Sequence, residues 1–209
     1  MTWVAVTGWI VYVLVAFVLR TLVQLRTTGS SGIVGLRPGA GALERIAGVL
    51  VVGAFALAPV APFVGEPIAD TALLGGTVVA VATAGTFAAQ LTMAGSWRIG
   101  VDPSERTELV TRGLFALVRN PIFSFMILAA TGIALSCPTP LALVAPALLL
   151  VGLELQVRIV EEPYLARVHG EAYLAYARRV GRFVPWIGRL RSPGARIAEF
   201  DPRSSTRAP

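Results

Sequence analysis

The run Leu148-Leu149-Leu150-Val151-Gly152-Leu153-Glu154-Leu155 places one carboxylate in an otherwise apolar stretch. An ionisable group inside a hydrophobic segment is expensive and marks a candidate for function. Helical spacing puts Glu154, Arg158 and Glu161 on one stripe, with Glu162 beside it. Such an acid–base–acid ladder is either an electrostatic site or a neutralised helix end whose Arg158 snorkels toward phosphates. Arg119-Asn120-Pro121 forms a second cluster, in which Pro suits a helix N-terminus and Asn suits its cap. Gly95-Ser96-Trp97-Arg98-Ile99-Gly100 is the third, an aromatic–arginine pairing of the kind found at membrane boundaries. Tyr173 and Tyr176 are three apart beside His169, Arg178 and Arg179, and an interfacial amphipathic helix would hold them.

Other chemistries lack their residues. His169 and Cys137 are each alone, so zinc and thiol-based catalysis have no ligand or base set. No phosphate loop or dinucleotide fingerprint occurs. Gln90 stands alone in an apolar run, where it is expected to bond a neighbouring helix.

The elements that must position these groups are membrane spans. Of 209 residues, 55% are hydrophobic and only 14% charged, where soluble domains carry about 25% charged residues. All 18 basic residues are arginines, giving a formal net charge of +6. A soluble nucleic-acid binder would need polar surface that this chain lacks. Five stretches approach the ~20 apolar residues of a span: 3–25, 46–64, 71–94, 121–135 and 140–159. The fold class expected is all-α, a polytopic membrane protein of about five spans with a C-terminal helical segment in the cytosol. The arginines fall only in the first and third connecting regions and after the fifth span. By the positive-inside rule this predicts the N-terminus outside and the C-terminus and active site cytosolic. The first span, with no basic residue before it, reads as an uncleaved anchor. Residues 160–180 read as an amphipathic helix broken near Gly170.

From Gly95 to about Pro185 the chain resembles the isoprenylcysteine carboxyl methyltransferase and phospholipid methyltransferase superfamily of integral membrane enzymes. The matching pieces are Trp97-Arg98-x-Gly100-x-Asp102, Leu109 to Phe115, Arg119-Asn120-Pro121-Ile122-Phe123, Glu161-Glu162 with Leu165, and Gly170, Tyr173, Tyr176, Val180 and Arg182-Phe183-x-Pro185. The resemblance implies S-adenosylmethionine as methyl donor and a lipophilic acceptor entering from the bilayer, with the membrane as partner and neither nucleic acid nor metal. It implies Arg119 and Glu162 as catalytic residues. Asn120, Pro121, Arg158, Glu161, Glu162, Tyr173 and Tyr176 would bind the donor, and Trp97, Arg98, Phe123 and Glu154 the acceptor. It divides the chain into spans 1–94, a methyltransferase core 95–189 and a tail 190–209. The sequence departs from the superfamily pattern at Asn120, usually His, at Phe123, usually Tyr, and at Phe125, where Gly is common. The acceptor is therefore open among a carboxylate, an amine and a thiol. Two competing expectations are a sterol-reductase-like enzyme using NADPH, which would need more spans, and a non-catalytic membrane protein.

Overall fold

The computed structural model describes residues 1–32, 40–94, 97 and 108–190. Among these the protein is helical, with one isolated bridge between Val118 and Gly181 and no strand. Helix α1 covers Thr2–Thr28, with a π-helical turn at Leu14–Leu19. Helix α2 is Ala42–Val60, extended by a 3-10 turn Ala61–Phe63, and α3 is Ala72–Met93. These three are long and apolar enough to cross a membrane. Helix α4, Pro121–Ser136, is apolar but shorter. Helix α5, Val144–Gln156, runs through a π turn at Val157–Glu161 into α6, Glu162–His169. Gly170 breaks the rod at φ +53, as expected, and α7 follows at Glu171–Arg179.

The fifth span was expected to start at Pro140, but its helix begins at Val144. The Thr139 hydroxyl accepts the Ala142 amide (3.1 Å) and donates to the Ala61 carbonyl (3.1 Å). Those bonds hold residues 139–143 as a turn against the end of α2. The first span, expected over 3–25, also runs longer, because α1 stays helical to Thr28 and ends on left-handed Gly29. Residues 33–39, 95–96 and 98–107, and the tail beyond Leu190, lie outside the described residues.

The helices alternate in direction. At one end the N-terminus of α1 meets the ends of α2 and α4: Thr2 Oγ1 donates to the Pro62 carbonyl (3.4 Å) and lies 3.6 Å from Cys137 Sγ. Thr71, just before α3, donates to the Leu135 carbonyl at 2.6 Å. The other end gathers the C-termini of α1 and α3, the N-termini of α2 and α4, and the end of α5. Helix α3 packs along α4, α2 along α5, and α1 against α3 and α4. Small residues allow the close approach. A Cβ on Gly85 of α3 would sit 2.4 Å from the Phe125 ring. The bulky Phe125 is thus accommodated by a missing side chain on the facing helix.

Polar rungs join α1 to α3 at one-turn intervals. Tyr12 pairs with Thr86 (3.3 Å), Gln90 donates to the Ala16 carbonyl (2.8 Å), and Arg20 donates to the Ala94 carbonyl (2.7 Å). Gln90 thus bonds a neighbouring helix, as its isolation in the sequence suggested. Arg20 is fully buried, bonds Gln24 (2.8 Å) and lies over the Trp97 ring at 4.7 Å.

Candidate active site

The site is built where the segment entering α4 meets the segment leaving α7. Residues 118–120 and 181–183 run side by side: the Arg119 amide donates to the Gly181 carbonyl (2.8 Å) and the Asn120 amide to the Arg182 carbonyl (3.0 Å). One turn into α4, Ser124 Oγ donates to the Phe183 carbonyl at 2.6 Å. This pairing aims Arg119 and Arg182 at one carboxylate.

Arg119 Nη2 donates to Glu162 Oε1 (2.6 Å). Arg182 grips the same carboxylate with both edges, Nε to Oε1 at 2.7 Å and Nη2 to Oε2 at 3.0 Å. A two-pronged guanidinium grip of this kind is both stronger and more directional than a single bond. The third prong of Arg182, Nη1, donates to Glu154 Oε1 at 2.7 Å, and Arg158 Nε reaches that oxygen from outside at 2.7 Å. Arg119 also caps α7, since Nη1 donates to the Ala177 (2.9 Å) and Val180 (2.7 Å) carbonyls and Nη2 to Gly188 (3.0 Å). A cation is well placed at a helix C-terminus. The side chains of Arg119 and Glu162 are only 2% and 13% exposed.

The expected ladder is therefore re-registered. In an unbroken α-helix Glu162 would stand about 80° around the axis from Glu154. The π turn takes up one extra residue and brings it within about 20° of the Glu154 face. Arg182 is then shared by Glu154 and Glu162, and Glu161 is turned out of the network. The physical signal was Pro163, which withholds the amide that would close an ordinary turn onto the Ile159 carbonyl.

Charge follows position. Burial alone would raise the Glu162 carboxyl, but hydrogen bonds from Arg182 and Arg119 hold it below its ordinary value. Burial would lower Arg182, yet Glu162 and Glu154 hold it raised. Glu161 makes no hydrogen bond among the described residues, and burial together with the Glu162 charge pushes it up to about 7.

Tyr173 and Tyr176 are buried together, with ring centroids 6.4 Å apart. Tyr176 donates to the Phe115 carbonyl (2.6 Å), and burial raises its phenol. Burial and the Glu162 charge push Tyr173 up to about 12, and its hydroxyl makes no hydrogen bond among the described residues. Both rings pack with Leu109, Leu165 and Ala177 in a satellite cluster.

Other expected site residues are placed differently. Asn120 stands at the N-cap of α4, but its side chain donates to the Arg182 carbonyl (3.3 Å) and makes no cap bond. Pro121 is buried in the first turn of α4. Arg158 is 58% exposed and touches only the outer carboxylate. Phe123 packs on the main core with Ile122 and Phe183. Trp97 is buried over Arg20, outside the Arg119 network. Arg98 lies outside the described residues. Two residues absent from the expected set matter here. Arg182 is visible in the sequence only inside the Arg182-Phe183-x-Pro185 motif, and Arg20 falls near the end of the expected span 3–25. Among the described residues no group of three or more His, Cys, Asp or Glu could hold a metal ion.

The phospholipid methyltransferase family model matches residues 68–172, half of the chain. The chain belongs to the phospholipid methyltransferase family. No curated protein sequence matches it significantly. With its apolar helices, family membership makes it an integral membrane protein of a methyltransferase family. The match spans Arg119, Glu154, Arg158, Glu161 and Glu162 and stops at Ala172, short of Tyr173, Tyr176 and Arg182. The geometry couples the two parts, because the matched Glu162 is held by an arginine ten residues beyond the match.

Proposed function

We propose that the protein transfers a methyl group from S-adenosylmethionine to a lipophilic acceptor at the arginine-rich end of its bundle. The observation carrying this reading is the unpartnered Glu161 carboxyl next to the Arg119–Glu162–Arg182 clamp, in a chain of this family. Bound there, the donor would supply an electrophilic methyl on a sulfonium cation. The groups left over by the clamp suit it. Glu161 offers a carboxylate to a cationic ligand, and the Tyr173 hydroxyl is free to accept or donate. The buried Nε of Arg119 has no partner and would suit a carboxylate. Glu162 and Arg182 act as positioning residues, because their side-chain hydrogen bonds are spent on the clamp and on Glu154, while Arg119 positions Glu162 and the end of α7 with every donor but its Nε. Glu161, held near neutrality, would also take the proton that an amine or thiol acceptor must lose. Holding donor and acceptor in line at a dry, fixed site is the main contribution that the chain makes to such a displacement.

The test is incubation of the protein in membranes with methyl-labelled donor and a lipid extract, phospholipid amines first. A labelled lipid product that disappears with Glu161→Gln supports the reading. Absence of labelled product, with stabilisation by NADPH rather than by S-adenosylhomocysteine, would reject it.

A further inference from the structure

The segment leaving the clamp carries an apolar face that the site does not use. Phe183 to Gly188 form a tight turn in which the Arg182 amide donates to the Ile187 carbonyl (2.8 Å) and the Ile187 amide to the Val184 carbonyl (3.1 Å). The turn folds directly over Gly181, where a Cβ would stand 2.1 Å from the Val184 oxygen. Its inner side is fixed: Phe183 packs on the main core, and the Gly188 carbonyl accepts from Arg119. Its outer side presents Val184, Trp186 and Ile187, which are 50%, 75% and 66% exposed.

We propose that this turn is an interfacial anchor, with Trp186 and Ile187 seated in the lipid headgroup and upper acyl region at the Arg119 end of the bundle. Depth is the first argument. Ser124 on α4 grips the Phe183 carbonyl, and Ser124 is already one turn inside a helix of sixteen residues that is apolar apart from Ser124, Thr131 and Ser136. The turn thus lies level with the start of that helix, where an outward side chain meets lipid. Residue type is the second, since tryptophan is enriched at membrane–water interfaces while isolated exposed apolar clusters are disfavoured in water. The third is backbone strain. Trp186 holds φ +66, a left-handed conformation that glycine adopts freely and a tryptophan does not. The indole is exposed, whereas Phe183, three residues earlier, joins the core. The anchor is independent of any reading of the chemistry. It is bonded through Gly188 and Arg182 to both arginines of the clamp, so seating the turn in lipid also steadies them.

The test uses tryptophan fluorescence of the full chain in phosphatidylcholine–phosphatidylglycerol nanodiscs. Subtracting the spectrum of Trp186→Phe isolates Trp186 from Trp3, Trp9 and Trp97, and the swap changes only an exposed ring. The expected Trp186 emission is blue-shifted, quenched by phosphatidylcholine brominated high on its acyl chains, and spared by aqueous iodide. Quenching by iodide without quenching by bromolipid would put Trp186 in water and overturn the proposal. Shielding from both would mean that a protein surface covers it, residues 191–209 or a second copy, and would overturn it equally.

Discussion

Glu161 and Glu162 are neighbours in sequence and opposites in electrostatics. Two arginines hold Glu162 below its ordinary value, while Glu161 is pushed from 4.5 to about 7 by burial and by the Glu162 charge. Each shift is also a statement about stability. Glu161 binds its proton more tightly folded than unfolded, so its favourable contribution is complete below the unfolded value and is lost as pH rises toward 7. Glu162 does the reverse: its contribution is present above the unfolded value and lost as pH falls through its lowered native one. Glu161→Gln should therefore abolish the fall in melting temperature between about pH 5 and about pH 7 while keeping the acid-side loss. Glu162→Gln should keep the neutral-side fall and start from a lower melting temperature. Thermal unfolding in nanodiscs across pH reads both, and identical pH profiles for the two variants would contradict the assignment. The sequence made both carboxylates visible as candidates. Which of them is free was not legible, because that depends on Arg182, twenty residues further along.

At the scale of elements, the π turn at Val157–Glu161 decides the site's geometry. The apolar run around Glu154 fits the helix found there, but the helical spacing that put Glu154, Arg158 and Glu161 on one stripe assumes a constant turn angle. One wide turn redirected everything beyond it. The register can be broken deliberately by inserting one alanine between Ile159 and Val160. Glu162 would then swing by about 100° and leave Arg119 and Arg182 without their shared carboxylate. Removing one partner of a buried ion pair costs about 3–5 kcal/mol. The insertion should lower stability by a comparable amount, matching Glu162→Gln in thermal unfolding. An insertion that leaves the melting temperature unchanged would show that the clamp does not depend on this register. Similar reasoning explains Phe125. It looked like a filled glycine position, yet the space is returned by Gly85 on a helix forty residues earlier, a compensation that a local motif does not reveal.

On the scale of the whole molecule, the arginines and the alternating helices answer the same question. Thr2, Pro62, Thr71 and Leu135 meet at one end, where the connecting segments carry no arginine. The clamp of Arg119 and Arg182 and the exposed Arg158 belong to the other end, together with Arg26 and Arg45 at the ends of α1 and α2. A bundle whose described arginines gather at one end would favour one orientation, since basic loops are retained on the cytosolic side. The apolar helices were legible from composition because lipid imposes one rule on every residue of a span. The clamp was less legible, because its partners are joined through turns. The predicted orientation is testable with single cysteines, Glu66→Cys in the arginine-free loop and Arg167→Cys on α6, since Cys137 is buried and silent. A membrane-impermeant maleimide should label position 66 in intact cells and position 167 only after the membrane is opened. The reverse pattern would place the clamp, Glu161 and the Trp186 turn on the outer face, away from the supply of a cytosolic methyl donor.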